Sequence, residues 1–315
     1  MNESDWLTFA TYHGLDYTDL LTMEGLARTA QLYYNWSNGR AFWGRDSMAN
    51  LFVVSSKQFG TEIFEIRDGQ LTINLNEEAM RGIWNYYYVP YISGYFAQHG
   101  RFRSEDVRTG EILAYVGSTV SAVFFPNNVT IDGATHPIEA RILPAPVFAG
   151  GQRVMVNQGA GMVVTMATSE ERYASLVFLQ WFTDPAQNLR FSASSGYMPV
   201  REAAMDAALI RAAAEEAGIP LSPVTYETLT IVMAAMREST VYATPPFIGG
   251  PEARIVLYNH IQDKAVADRT EVLRLIENGL PREVAIATFN TEANFQAWVT
   301  DLYESLLVAI ALSTF

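Results

Sequence analysis

The sequence predicts a mixed chain of helices and strands, α/β or α+β, and three observations carry that expectation. Strand-like runs gather in the first half, and helix-starting signals crowd the last third. A length of 315 residues, 49% hydrophobic and 17% charged, is ample for a large folded core.

The elements follow in chain order. Met23, Leu26, Ala27, Ala30, Tyr33 and Tyr34 recur at helical spacing, so a helix starts at Thr22. "FEIRDGQLTIN" reads as a hairpin closed by Asp68-Gly69, a two-residue turn that tolerates positive φ. Asn76 caps a helix through "EEAMRGIWNYYYVPYISGYF", whose inner face takes Met80, Ile83, Trp84, Tyr87 and Tyr91, and Pro90 kinks or splits it. "EILAYVGSTVSAVFF", "EARILPAPVF" and "GMVVTMAT" read as strands. Thr168 and Glu171 form a capping box, and Asp184 followed by Pro185 restarts a helix that ends at Gly196. Beyond Arg201 the chain is almost entirely helical: one helix ends at Gly218, "TYETLTIVMAAM" follows, one opens at Gly250-Pro251, another ends in "LRLIENG", and the last runs from Pro281 to the end.

Charge and composition exclude several functions. The net charge is -13, and the only lysines are Lys57 and Lys264. Neutralising phosphates on a polyanion needs clustered Lys and Arg, so nucleic acid and anionic membranes are not expected partners. Without cysteine there is no disulfide, thiolate metal site or cysteine nucleophile. His13, His99, His136 and His260 lack metal-ligand spacing, so neither metal nor cofactor is expected. No apolar run approaches the roughly 18 to 20 residues of a membrane span. The stretch "MNESDWLTFATYHG" has neither the basic nor the apolar region of a signal peptide.

Catalytic signatures are weak. Gly159-Ala-Gly161 lacks the third glycine of a dinucleotide loop and is followed by β-branched residues rather than a helix start. No phosphate-binding loop or nucleophile elbow occurs, and the acid pairs sit at helix starts or on solvated faces. The aromatics say more. "NWSNGRAFWGRDSMANLF" sets Trp36, Phe42 and Trp43 in a glycine-punctuated loop beside Arg45, Asp46 and Asn50. A flat apolar ring next to hydrogen-bonding groups suits a sugar, although Trp43 reads equally as a lid over local core. In "YVGSTVS", Gly117 marks a close approach of backbone, and the hydroxyls of Ser118 and Thr119 serve either a polar ligand or the local backbone.

Taken in order, "GLDYTDLLTMEGLARTA", "AFWGRDSMANLF", "GEILAYVGST", "ILPAPVFAGG", "NQGAGMVV" and "ASLVFLQWFTDPAQNLRFSASSGYMPVREAAM" resemble the extracellular solute-binding proteins of ABC importers. The closest likeness is to the group that binds sugars, oligosaccharides and glycerol phosphates, and the C-terminal "GGPEARIVLY" and "LRLIENGLPREVAIATFN" fit it as well. The resemblance implies a type 2 periplasmic-binding-protein-like α/β fold of two lobes with a helix-rich C-terminal part. It implies a non-enzymatic receptor at the periplasm or cell surface, monomeric, that closes on a sugar or sugar phosphate and docks on the permease.

The same resemblance places Trp43, Asp46 and Asn50 on one cleft wall, Gly117, Ser118 and Thr119 at a strand tip, and Gly159 and Gly161 under the ligand. It presents Tyr197 from the turn after Gly196, and sets Glu252 and Arg254 at the head of the closing helix. Complete members carry a signal peptide and a first stretch of lobe 1 ahead of anything matched here. Residues 1–140 are therefore expected to be mainly lobe 2, 141–205 a lobe 1 return segment, and 206–315 a helical part packing mainly on lobe 2, with lobe 1 incomplete. Two other readings stand beside this one: a ligand sensor for a signalling partner, and a carbohydrate-active enzyme using carboxylates such as Asp46, which needs a second acid about 5 to 9.5 Å away.

Overall fold

Two main apolar clusters of unequal size, with a small third at Ala41, Val107 and Ile112, organise the computed structural model, which describes residues 1–313. The first begins with α1 (Glu3–His13), which buries Trp6, Phe9 and Ala10 and stops at Gly14 with φ 65°. No helix was expected here, although Asn2 and the first-turn acids Glu3 and Asp5 mark its start. Helix α2 (Met23–Trp36) starts as expected, with the Thr22 hydroxyl accepting the Gly25 N–H at 3.1 Å. Strand β1 (Trp43–Arg45) leads into α3 (Met48–Gln58), a helix inside the stretch read as a loop. Between them Ser47 adopts φ 57°, a conformation side chains rarely take.

Strands β2 (Phe64–Arg67) and β3 (Gln70–Ile73) form the expected hairpin, with Asp68 and Gly69 at φ 52° and 75°. Asn76 caps α4 (Glu77–Ile83), which passes through a π-turn at Trp84–Tyr88 into α5 (Val89–Ile92). The irregularity lies one turn before Pro90. The Val89 N–H reaches back five residues to the Trp84 carbonyl, which gives the proline ring room in a helix it would otherwise break. All five expected inner-face residues are buried.

Helix α6 (Arg103–Arg108) precedes β4 (Ala114–Val116), which pairs in parallel with β1. The rest of that expected strand curls into a 3-10 turn, Thr119–Phe124, because Ser121 donates both its backbone N–H and its hydroxyl to the Ser118 carbonyl. A second hairpin, β5 (Asn128–Ile131) and β6 (Ala134–Pro137), turns at Asp132-Gly133. "EARILPAPVF" yields only isolated bridges at Ala140 and Val147, since Pro144 and Pro146 offer no N–H to a ladder. "GMVVTMAT" is no strand either: among the described residues no strand pairs with it, and Val163 and Met166 are 84% and 92% exposed. The strand there is β7 (Val154–Val156), just upstream.

Helix α7 (Ser169–Phe182) has the Thr168–Glu171 capping box and buries none of its residues. Helix α8 (Pro185–Ser195), capped by Asp184 and ended by Gly196, packs with α9 (Ala207–Ala217) and α10 (Pro223–Met236). Leu189, Ala193, Ala204, Ile210, Ala214, Leu229 and Met233 form the second cluster there. Helix α10 also packs on the Thr119–Phe124 turn. The chain then returns through β8 (Thr240–Tyr242), hydrogen-bonded in parallel to β7.

Helix α11 (Gly250–Glu277) is one 28-residue element where two were expected. It packs on α3, α5 and α13 (Glu292–Leu312). The expected last helix is divided into α12 (Arg282–Phe289) and α13, restarted where Thr291 caps the Asn294 N–H. Contrary to the sequence reading, α13 is long and apolar enough to cross a membrane by length and composition. In this fold it buries Phe295, Trp298, Leu302 and Leu306 in the first cluster.

Candidate functional site

Where the β1–α3 connection meets α11 and the segment after β7, three parts of the chain join through one amide. The Asn50 Oδ1 accepts from Arg254 Nη2 at 2.8 Å, and its Nδ2 donates to Gln158 Oε1 at 2.5 Å. The same Arg254 nitrogen lies 3.3 Å from the Ser47 hydroxyl. Asn50 is buried, so these partners satisfy an amide that would otherwise be costly to desolvate. Gln158 carries no motif of its own in the sequence, and its one signal is that it directly precedes the Gly159-Ala-Gly161 stretch.

A second contact line continues from Gly159. A Cβ on Gly159 would lie 3.9 Å from the Tyr197 ring, and one on Gly161 would meet nothing within 4 Å. Both glycines are exposed, leaving open space above their backbone. Tyr197 is held by stacking on Phe191, with centroids 5.8 Å apart and planes at 14°. Its N–H donates to the Ser195 hydroxyl at 3.2 Å. The preceding Gly196, at φ 75°, comes so close to the 3-10 turn that a Cβ would sit 3.2 Å from the Thr119 carbonyl oxygen. Asn50, Arg254, Gly159, Tyr197 and Thr119 thus lie along one polar seam.

Other expected residues stand elsewhere or do other work. Trp43 is 2% exposed, tilted on Phe96 at 4.7 Å and edge-on to Tyr87, so the core reading holds and its ring has no face free for a ligand. Asp46 serves Arg103: its Oδ1 accepts the Arg103 N–H at 3.2 Å and lies 3.6 Å from the Arg103 Nε. Burial raises the Asp46 carboxyl above its ordinary pKa, and the Arg103 contacts only partly offset that. Gly117 is demanded by the protein itself, since a Cβ would lie 2.4 Å from the Ser121 hydroxyl. Ser118 presents an exposed side chain, and its carbonyl is taken by Ser121. Glu252 is exposed in the first turn of α11.

The seam is an open surface. Two concavities, of about 460 and 480 Å³, lie away from it. One is lined by Arg211, Leu221 and Tyr226, the other by His260, Trp298 and Asp301. Among the described residues no group of three His, Asp or Glu side chains is placed to hold a metal ion.

Comparison with known proteins shows the family and the fold of this chain. A family model described as "bacterial extracellular solute-binding protein" matches residues 4–217. Among solved structures, UgpB from Mycobacterium tuberculosis in complex with glycerophosphocholine superposes with a TM-score of 0.58 at 16% identity. The likeness covers 95% of this chain and 67% of that one, and it shows a periplasmic-binding-protein-like fold. No curated protein matches.

Proposed function

We propose a function from one premise: this chain belongs to the bacterial extracellular solute-binding proteins, the family whose model matches residues 4–217. It binds a sugar or sugar phosphate outside the cytoplasm, in the periplasm or at the cell surface, and delivers it to the transmembrane subunits of an ABC importer. The residues supply contacts rather than covalent chemistry, so no catalytic role is assigned.

The observation that carries this reading is the crossing between the two clusters. The chain leaves the first cluster through β7 and returns through β8, and these short strands pair with each other. Asn50 and Arg254 stand on one side of that crossing, and Gln158, Gly159 and Tyr197 stand beyond β7 on the other. A ligand that bridges the two sides favours the closed arrangement by the difference in its affinity for the two states. Residues 1–140 with α11–α13 then make one wall. The part of the return segment 141–205 that lies beyond β7 makes the other, together with α9 and α10, which pack on α8. Hydroxyls of a sugar would take the Asn50, Gln158 and Ser118 groups, and a ring face would lie on Tyr197.

The test is a thermal melt of the chain against a panel of sugars and sugar phosphates. Ligand at about 100 times its dissociation constant stabilises by roughly 2.7 kcal/mol, which raises Tm by several degrees. A rise with one member supports the reading, and a cooperative melt that no member moves counts against it.

A further inference from the structure

Among the described residues α7 is the one α-helix that buries none of its side chains, although its pattern is amphipathic. Its inner side, Ser175, Leu179 and Phe182, is half-buried, with Phe182 edge-on to Phe191 of α8 at 5.0 Å between ring centroids. Its outer side carries Tyr173, Leu176, Val177 and Trp181, the i, i+3, i+4, i+8 spacing of a helix face made for burial. Those four are 47 to 71% exposed. Single apolar side chains are ordinary on a surface, but a contiguous stripe along one helix marks a contact. The chain as a whole exposes 16491 Å², against roughly 13,100 Å² for a compact monomer of 35.1 kDa. A standard interface takes about 800 Å² from each partner, well within that surplus.

The two ends of the stripe carry opposite charge. Glu170, in the first turn of α7 and three residues before Tyr173, is exposed on the same side. At the other end the Arg201 Nε donates to the Thr183 carbonyl at 3.0 Å, which holds that guanidinium beside the last turn. Asp184, next to it, is committed to the Ala186 N–H. An antiparallel copy of α7 sets the Glu170 end of each helix against the Arg201 end of the other, and opposes the two helix dipoles. A face of this kind is its own complement under a two-fold axis, so the assembly closes at two copies.

We propose that a second copy of this chain covers the outer face of α7, the two helices packing antiparallel about a two-fold axis near Val177. The inference stands apart from the binding reading, because it uses none of the seam residues. A lipid surface would accept the apolar stripe, but it has no use for the opposite charges at the two ends.

The test is sedimentation velocity and light scattering of the full chain over a concentration series. The species at high concentration is expected to have twice the 35.1 kDa mass of the chain. Trp181→Glu and Leu176→Glu place a charge in the stripe and are expected to weaken the dimer at least about thirtyfold. Both side chains are already exposed, so far-ultraviolet dichroism is expected to stay unchanged, and if one variant fails to fold the other carries the test. Glu170→Arg is expected to weaken the dimer about two- to fivefold, and adding Arg201→Glu to restore it. The chain has no cysteine, so Val177→Cys is expected to give a disulfide-linked dimer on mild oxidation, and Glu170→Cys is not. A monomer at every soluble concentration, the state that the resemblance implies, overturns the inference. So does a monomer that binds phosphatidylcholine vesicles through Trp181, an open-ended series of larger assemblies, or a dimer that both Glu variants leave intact. Equal cross-linking of Val177→Cys and Glu170→Cys overturns the antiparallel arrangement.

Discussion

The two apolar clusters are built of different materials. The first holds Trp6, Phe9, Phe42, Phe52, Tyr87, Tyr88, Phe96, Phe148, Phe295 and Trp298, and these large rings draw on helices from both ends of the chain. The second holds four alanines or methionines among its seven residues and no aromatic, and α7 beside it buries nothing. Large rings bury more apolar area per residue ordered, so the first cluster has the greater margin over the entropy of ordering its chain. The difference teaches where motion is cheap. The side that carries Tyr197 and Gly159 is the weakly held one, and the side that carries Asn50 and Arg254 is the frame.

The comparison breaks most readily at its strongest point. Phe52→Ala, a fully buried ring against Trp298, is expected to cost about 3 to 5 kcal/mol and to lower the whole thermal transition. Leu229→Ala is expected to cost about 2 to 3 kcal/mol and to speed hydrogen exchange only in α8–α10. Equal acceleration everywhere in Leu229→Ala would make the two clusters one cooperative unit.

A smaller effect appears at high pH. Burial raises the phenols of Tyr33, Tyr87, Tyr88 and Tyr91, all in the first cluster, with Tyr33 pushed up to about 12. A phenol whose folded pKa exceeds its unfolded value keeps its proton where the unfolded chain would release it. Its contribution is therefore fully present below about pH 10 and is lost as pH rises through the folded value. Tyrosinate absorbance is expected to show these rings ionising together with the loss of near-ultraviolet dichroism. Ionisation near pH 10 in a protein still folded would place them in contact with water.

The smallest effect sharpens the seam rather than the frame. Gly159→Ala is expected to change stability by under about 0.5 kcal/mol, because its Cβ meets only the Tyr197 ring at ordinary contact distance. A stability loss several times larger would mean that the backbone there is more tightly packed than the contact indicates. Weakened ligand binding at unchanged stability would put a ligand over that glycine.

What the sequence made legible was whatever is decided within a few residues. The Asp68-Gly69 turn, the Thr168–Glu171 box, the Asp184-Pro185 restart and the Gly196 stop all depend on local hydrogen bonds and on φ. By the same rule Asp132-Gly133 announces the second hairpin, although the strand-like runs on either side of it mask the signal. The illegible parts needed partners from far along the chain. Trp43 has polar neighbours in sequence, and only the return of Phe96 and Tyr87 makes its surroundings apolar. "GMVVTMAT" has strand-forming side chains and no strand beside it, so propensity had nothing to pair with. Asn50 and Arg254 were singled out separately, yet their contact spans 204 positions, and its extension to Gln158 depends on the path of β7.

The π-turn at Trp84–Tyr88 acts as an offset in phase. Each residue of an α-helix advances the side chains by about 100° around the axis, so one extra residue in a turn rotates everything downstream by about that much. Helix α4 can therefore face α3 while α5, on the same axis, faces α11. In between, the two successive phenols of Tyr87 and Tyr88 both reach α11, donating to Gln262 and Asp268 at 2.5 Å each. A regular helix would have to choose between those neighbours. This one meets both, and the head of α11, where Arg254 sits, inherits its position from that single added residue.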